Sequence, residues 1–270
     1  MLTLGVITLL LLGALWLIGY FLVDIKLAAP LSAPTDLSPS RDYPLGTDSA
    51  GRQLLAVMVS GTPTTLKIGL IAGTLGMIIG TILGFTAGYF GGTVDAIIRS
   101  AADVALTIPA LAVLVVIASV ITKTLSPEIL ALIISALAWM WPTRTIRSQV
   151  LTMRERAYVE VARLNGLNNM EIIFKELMPN LLPYLAASFV GAVSSAVLAA
   201  IGLEALGLGP QSEPTLGMTI YWARYYNGLP RGMWWWWGPP VVIIVMLFIS
   251  LFMISAGLDE IANPRARRTT

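Results

Sequence analysis

Six long apolar runs divide the chain and leave few alternatives for its fold. Each run has about 20 residues, enough for a helix to cross the roughly 30 Å hydrocarbon core of a bilayer. The runs lie at residues 2–23, 66–89, 104–122, 129–147, 184–202 and 241–257. They predict an all-α polytopic membrane protein with six transmembrane helices. A signal peptide is the alternative for the first run, but no basic stretch precedes it and no A-x-A site follows it, which favours an uncleaved helix.

The composition agrees with a membrane protein and narrows the range of functions. Hydrophobic residues make up 56% of the chain, charged residues 12%, and the mean hydropathy is +0.79, far outside the soluble range. The net charge of +2 is small and the basic residues lie mainly at the ends of the apolar runs, so we expect no nucleic-acid partner. Because the chain has neither cysteine nor histidine, we also expect no catalytic residues and no metal site.

The polar segments between the runs set the predicted organisation. The chain divides into an N-terminal transmembrane helix at 1–27, an extracytoplasmic loop at 28–65, a core of five transmembrane helices at 66–258 and a cytoplasmic tail at 259–270. The core contains a cytoplasmic loop at 148–183 and an extracytoplasmic loop at 204–237. With 148–183 inside, ten Lys and Arg residues lie on the cytoplasmic side and seven outside, which predicts both termini in the cytoplasm.

The second apolar run carries a regular series of glycines. They recur at spacings of three and four residues, so they fall along one stripe of a helix. Such a stripe lets a neighbouring backbone pack closely, and the neighbour is either this chain's own core or a partner subunit. The glycines are Gly69, Gly73, Gly76, Gly80, Gly84 and Gly88.

Aromatic and polar residues collect in the second extracytoplasmic loop. Four consecutive tryptophans, residues 234–237, indicate an aromatic belt at one membrane surface, and a stacking platform for a sugar is the alternative. Other side chains of this loop are candidates for contacts with a zwitterionic peptide or a sugar, namely Glu204, Glu213, Arg224 and Tyr225.

The longest polar interruption lies at residues 142–183 and carries six of the seventeen basic residues. Favoured helix formers predict a helix over 153–166, ended by Gly166, and a second short helix over 170–177, ended by Pro179. Ala162 and Gly166, four residues apart, give the first helix a small-residue face that another surface can approach closely. On these features alone, an amphipathic connector on the membrane surface and a docking site are about equally good interpretations.

Motifs in this interruption resemble a known family. The pentapeptide Tyr-Val-Glu-Val-Ala at 158–162, Gly166, and Leu-Met-Pro-Asn at 177–180 are similar to the EAA loop of ABC importer permeases. The residues at 141–156 resemble the dipeptide, oligopeptide and nickel branch, and 43–52 resembles the HP-x-GTD-x-x-GRD segment of that branch. Two positions of the EAA loop differ from the family, because Val161 stands where alanine is common and Glu176 where histidine is usual.

The resemblance implies a fold and a set of partners. The fold is that of a type I ABC importer permease (MetI-like). The partners are a second homologous permease subunit, two cytoplasmic ABC ATPase subunits that bind ATP and Mg, and an extracytoplasmic substrate-binding protein, all assembled in membrane lipid. In the family the EAA loop is a coupling helix that docks in a groove of the ATPase. In this chain, the residues that the resemblance assigns to this contact are Glu160, Ala162, Arg163, Gly166 and Leu167.

The chain carries no energy source for transport. It has no G-x-x-x-x-G-K-[ST] phosphate loop, and the apolar runs hold almost none of the buried carboxylates that ion-coupled carriers use. We therefore predict a non-enzymatic pathway, without a cofactor of its own, for peptides or for oligosaccharides or nickel complexes. The alternative function is a non-transporting membrane scaffold whose central loop recruits a cytoplasmic partner.

Overall fold

The computed structural model of the protein describes residues 1–121 and 125–262. These residues form helices and turns, with one isolated bridge between Thr47 and Gln53 and no strand. The α-helices are α1 (Leu2–Leu22), α2 (Leu54–Phe90), α3 (Gly92–Thr107), α4 (Ala110–Val120), α5 (Pro127–Ala138), α6 (Met140–Arg154), α7 (Ala157–Leu164), α8 (Asn169–Glu171), α9 (Met178–Ala205), α10 (Leu216–Tyr225) and α11 (Trp234–Ala262). The predicted cytoplasmic tail lies, from residue 263 onward, outside the described residues.

Four helical segments are long and apolar enough to cross a membrane. They are Leu2–Leu22, Leu54–Phe90, Asn169–Ala205 and Trp234–Ile261. Two further crossings result when α3 with α4, and α5 with α6, are each taken as one bent span, which gives six. The prediction of an all-α chain with six transmembrane crossings is confirmed in this sense.

The second span starts earlier than the sequence indicated. We predicted a loop up to residue 65, but α2 begins at Leu54, so the loop ends at residue 53. Pro63 lies inside the helix and cannot donate a backbone hydrogen bond there. The helix continues through it, and three hydroxyl side chains around the proline return hydrogen bonds to backbone carbonyls of the preceding turn, namely Ser60, Thr62 and Thr64.

The third span is broken rather than kinked. We predicted one span at 104–122 bent by Pro109, whereas α3 and α4 meet at an angle of 81° with Ile108 and Pro109 between them. The fourth span bends by 41° at Trp139 and continues to Arg154, beyond the predicted end at residue 147. The break at Ile108 and Pro109 interrupts the helix, and a break within a membrane span requires protein or water around it.

The glycine stripe of α2 packs inside the chain. A Cβ at Gly73 would lie 2.7 Å from the Val193 Cα of α9, and one at Gly76 would lie 2.9 Å from the Ala138 carbonyl carbon of α5. Gly80, Gly84 and Gly88 meet α6 in the same way, and Gly69 meets Val197 of α9. Of the two neighbours left open by the sequence, the stripe therefore faces this chain's own helices.

The loop before α2 is folded against the start of α11. Asp48 is fully buried and its carboxylate accepts hydrogen bonds from the backbone N–H groups of Ala50 and Arg52, at 2.9 Å each, and from the Arg52 Nε at 2.6 Å. The Trp235 indole donates to the Thr47 carbonyl at 3.4 Å. Trp236 is fully buried, Trp235 and Trp237 are half-buried against the same cluster, and Trp234 is exposed, so part of the tryptophan run packs into the core.

Candidate coupling site

The segment from residue 155 to 177, called the coupling segment below, holds the predicted docking residues. Its first helix, α7, ends in a glycine cap. The N–H of Leu167 donates to the Ala162 carbonyl at 3.2 Å, and the N–H of Gly166 donates to the Arg163 carbonyl at 2.9 Å. Gly166 has φ of +82°. Together these bonds form a Schellman motif, which explains why glycine stands at this position.

The second part of the coupling segment starts with a capping box. The Asn168 side chain accepts from the Glu171 N–H at 2.9 Å, and the Glu171 carboxylate accepts from the Asn168 N–H at 3.0 Å. From α8 the backbone continues through a π-helical turn, Ile172–Leu177, directly into α9. Wide turns of this kind inside helices occur frequently at functional sites.

One face of α7 packs against the chain itself. Val159 is fully buried and Ala162 is 6% exposed, and both belong to a cluster with Tyr89, Ile172 and Val150. We predicted that Ala162 lies on the docking surface with Gly166. Instead Ala162 faces the chain's own core, because its small side chain lets α7 lie close to the helices beneath it. Leu167 is half-buried against the same cluster.

The opposite face of α7 points away from the chain. Glu160 is exposed there, whereas Arg163 and Gly166 are exposed nearer the packed face. Leu164 is 81% exposed and Val161 is exposed as well, and neither is among the predicted docking residues. The exposed apolar surface continues onto the second part of the coupling segment with Met170 and Phe174. A second apolar stripe on α7 is the sequence signal that could have identified these residues, since Val161 and Leu164 alternate with the buried Val159 and Ala162.

Side chains fix the coupling segment to the end of α2. The Arg154 guanidinium donates to the backbone carbonyls of Gly88 and Tyr89 at 3.1 and 3.2 Å. The Tyr89 hydroxyl donates to the Asn169 side-chain oxygen at 2.9 Å, and the Arg163 guanidinium lies 5.8 Å over the Tyr89 ring. Partial burial raises the pKa of the Tyr158 phenol on α7 above its ordinary value. The outward face is therefore presented from a fixed base.

A second feature is a cleft of about 620 Å³ between the junction of α3 with α4, the helices α5 and α6, and the helices α9 and α11. Small and apolar side chains line most of it, some bordering residues carry hydroxyl groups, and Asp259 is the one charged residue among the described residues that border it. The break at Ile108 and Pro109 opens onto this cleft. The hydroxyl-bearing residues are Thr107, Thr145, Tyr184, Ser188, Ser195 and Ser255.

The candidate extracytoplasmic residues do not form one site. Glu204 is fully buried at the end of α9 and packs against Gly209 and Gly217. The prediction that it contacts a solute at the surface was therefore wrong. Glu213 is exposed in the loop before α10, whereas Arg224 and Tyr225 are exposed at the end of α10. Within residues 1–121 and 125–262, no group of three acidic side chains could hold a metal ion.

Comparison with known proteins identifies the family. Residues 80–268 match the family described as binding-protein-dependent transport system inner membrane component. The chain belongs to this family. The matched residues contain the coupling segment and the cleft, and the recognition of the family from its EAA-loop motifs is confirmed.

Relatives of this family member include transport proteins for peptides. The chain is 29% identical over 199 residues to the oligopeptide transport system permease protein OppC of Lactococcus lactis subsp. cremoris, an alignment that covers 73% of the chain and 66% of that protein. It is 33% identical over 175 residues to the dipeptide transport system permease protein DppC of Alkalihalophilus pseudofirmus, covering 64% and 57%. With DppC of Bacillus subtilis the identity is 29% over 267 residues, covering 98% and 82%. The chain thus spans less than two thirds of the length of the first of these relatives.

A solved structure supports the fold. The inward-facing MetNI methionine ABC transporter contains a chain that superposes with a TM-score of 0.60 at 19% identity, covering 77% of the present chain and 95% of that one. At this identity the likeness concerns the fold alone. The predicted type I importer fold is therefore confirmed, and the chain is a multi-pass membrane protein.

Proposed function

We propose that the chain is a membrane subunit of an ABC importer and provides, with a homologous permease subunit, the pathway for peptides. Two cytoplasmic ATPase subunits would bind ATP and Mg and would dock on the coupling segment, and an extracytoplasmic binding protein would deliver the solute. In this arrangement both termini lie in the cytoplasm. The observation that carries the proposal is the exposed face of α7, where Leu164 and Val161 stand beside Glu160 with no covering residue in the described part of the chain.

An exposed apolar face on a charged segment favours a protein partner over a free connector. A helix that lay on the membrane would bury its apolar stripe in lipid, but α7 already uses one apolar stripe against its own core. Its second stripe carries Glu160 and Arg163 at its edges, which suits the polar rim and apolar centre of a protein interface. The family match and the names of the relatives also favour a transporter over a non-transporting scaffold.

The docking proposal is tested by placing a charge in the centre of the exposed face. In the complex reconstituted in lipid, we expect Leu164→Asp to lower import and binding-protein-stimulated ATP hydrolysis about tenfold or more, as for a residue central to an interface. Thr152→Asp is the control, because it adds the same charge at an exposed position on α6 just before the coupling segment. Equal import by the two variants would indicate that the coupling segment is only a connector and would favour the non-transporting scaffold.

We propose the cleft as this chain's part of the solute pathway. A backbone break in a membrane span is tolerated where it lines a water-filled cavity, and the hydroxyl groups of the cleft provide hydrogen bonds, with the single charge of Asp259 at its border. Such a wall suits zwitterionic peptides of varied side chains.

Cysteine accessibility tests the pathway cleanly, because the natural chain contains no cysteine. We expect Ser195→Cys, on the cleft, to react with a membrane-impermeant charged thiol reagent. Ile82→Cys is the control, since Ile82 is exposed on α2 and does not border the cleft. Equal reaction rates at the two positions would argue that the cleft holds no more water than the lipid-facing surface.

A further inference from the structure

A buried carboxyl group lies between the C-terminal end of α9 and the start of α10. Glu204 belongs to the last turn of α9 and is fully buried. Two glycines of the following chain pack on its side chain: a Cβ at Gly209 would lie 2.6 Å from the Glu204 Cγ, and a Cβ at Gly217 would collide with the Glu204 Oε2. The chain from Gly209 to Gly217 therefore folds back on Glu204, and a side chain at either glycine would displace it.

The Glu204 carboxyl group faces the N-terminus of α10. Thr215 is the N-cap of this ten-residue helix, and its hydroxyl accepts from the Met218 N–H at 3.1 Å. The Thr215 hydroxyl and the N–H groups of Gly217 and Met218 lie beside the carboxyl group. Its two oxygens make no hydrogen bond of ordinary geometry within the described part of the chain. Because the first N–H groups of a helix lack partners inside it and form its positive end, they compensate for the burial of this carboxyl group.

A second contact fixes the same end of α10 to α2. The Leu216 N–H donates to the Thr65 hydroxyl at 3.0 Å, and both residues are fully buried. The N-terminus of α10 thus lies where α2 and α9 meet. Both of these helices lead to the coupling segment, since α9 continues directly from the π-helical turn and α2 ends at the carbonyl groups that accept from Arg154.

The other end of α10 is exposed. Tyr225 is 62% exposed, Tyr226 is 40% exposed, and Arg224 beside them is exposed as well. The Tyr225 ring stacks on that of Tyr221, with 5.8 Å between the ring centroids. A helix as short as α10 is not stable by itself, so its position depends on contacts such as those at its N-terminus. The contacts with α2 and α9 therefore decide where these exposed groups stand.

We propose that Glu204 is a positioning residue that holds the N-terminus of α10 on the end of α9, so that a displacement of α9 moves the exposed end of α10. Through α9, the coupling segment on one side of the membrane is then joined to a charged and aromatic surface on the other. The contact itself is independent of the proposed function, whereas its use to link the binding protein with the ATPase subunits rests on that function.

The first measurement tests the contact without transport. Hydrogen exchange of the α10 N–H groups, residues 216–225, is followed in the full chain reconstituted in lipid. Glu204→Met keeps an unbranched side chain but removes the acceptor, and we expect these N–H groups to exchange about fivefold faster, as after the loss of a helix cap. Glu204→Gln keeps an acceptor oxygen and should stay within about twofold of the natural chain. Natural exchange in Glu204→Met, or equal acceleration in both variants, would overturn the contact.

The second measurement tests the transmission. In the reconstituted complex, we expect Glu204→Met to lower the maximal stimulation of ATP hydrolysis by the binding protein about fivefold and to leave the basal rate unchanged, because the coupling segment is intact. Glu204→Gln should keep most of the stimulation, which a residue that only fills space would not show. Asp42→Asn is the control, since it removes an exposed carboxylate from the loop before α2.

Two outcomes separate this inference from the proposed function. Full stimulation in Glu204→Met, or an equal loss in Asp42→Asn, would overturn the transmission and leave the importer in place. Absence of stimulation in the natural chain would overturn the proposed function and the transmission together, and the exchange measurement would still decide whether Glu204 holds α10.

Discussion

The loop before α2 and the coupling segment lie at opposite ends of α2 and satisfy their polar groups in different ways. In the loop, Asp48 is buried and its carboxylate accepts three hydrogen bonds from within the chain. In the coupling segment, polar side chains fix the backbone from behind, and Glu160, Leu164 and Phe174 are left exposed. The first region satisfies its polar groups within the chain, whereas the second leaves charged and apolar side chains exposed. Both regions match motifs of the same family.

This contrast shows that a family motif has two quite different uses. The Gly-Thr-Asp and Gly-Arg residues at 46–52 resemble a family segment because they close a loop around one carboxylate. The EAA-loop residues divide between those that shape the chain, such as Ala162 and Gly166, and those that point outward, such as Glu160. The structure separates these roles by burial, which the sequence motif does not contain.

The largest effect is expected where the loop closes on its carboxylate. Asp48→Ala leaves the Arg52 guanidinium and two backbone N–H groups without their acceptor in a buried site, and we expect a loss of about 3–5 kcal/mol in the stability of the loop. Limited proteolysis of the reconstituted chain, with a protease added on the loop side, should cut within residues 28–53 far faster. Asp42→Ala, at an exposed loop position, is the control, and similar cleavage of both variants would contradict the role of Asp48.

A smaller effect is expected at the glycine cap of α7. Gly166→Ala meets no atom within 4 Å, so its cost comes only from the positive φ and should be about 1–2 kcal/mol in the local stability of α7. Hydrogen exchange of the N–H groups of residues 160–167 would measure it. Gly191→Ala is the control, because it also meets no atom within 4 Å but lies in regular helix; equal protection in the two variants would contradict the Schellman motif.

The ion pair that joins the loop to the start of α11 should contribute less. The Arg231 guanidinium, which donates to Asp36 at 2.7 Å, lowers the pKa of that carboxyl below its ordinary value of 3.8. A lowered folded-state pKa stabilises the loop above pH 3.8, and this contribution is lost as the pH falls through the folded-state value. Since both side chains are partly exposed, we expect Asp36→Asn to cost less than about 1 kcal/mol at pH 7. Proteolysis rates of the natural chain and of Asp36→Asn are compared at pH 7 and, with an acid-active protease, below pH 3. The difference between the two proteins should vanish in acid. A difference that grows in acid would contradict the pairing.

The smallest effect on stability is expected at the exposed face of the coupling segment. Leu164 is 81% exposed, so Leu164→Asp should change the thermal unfolding of the isolated chain by no more than about 0.5 kcal/mol while it impairs import. A large loss of stability would mean that Leu164 belongs to the fold, and the contrast between the two regions would then be wrong.

The membrane helices and the end of α7 could be predicted from sequence because length, hydropathy and helix caps are local signals. The predicted end of the second helix at Pro179 was wrong, because the π-helical turn continues directly into α9. Gly166 predicted the end of α7, and the structure ends this helix with the cap that glycine favours. The start of α2 could not be predicted, since Pro63 indicates a boundary, whereas the helix continues through it with most of the surrounding residues buried. The direction in which Ala162, Glu204 and Trp236 point depends on which helices surround them, and a single sequence does not contain that information.

The glycine stripe has a mechanical consequence. Without side chains on that face of α2, the side chains and backbone of α6 pack directly on the α2 backbone, which leaves little room to absorb a displacement. We therefore expect the two helices to move together as one body, and α2 alone is about 55 Å long. One end of that body starts at the loop closed by Asp48, and its other end is tied by Arg154 to the coupling segment. A displacement of this body at one membrane surface would then move its other end through a tilt of both helices rather than through a local deformation.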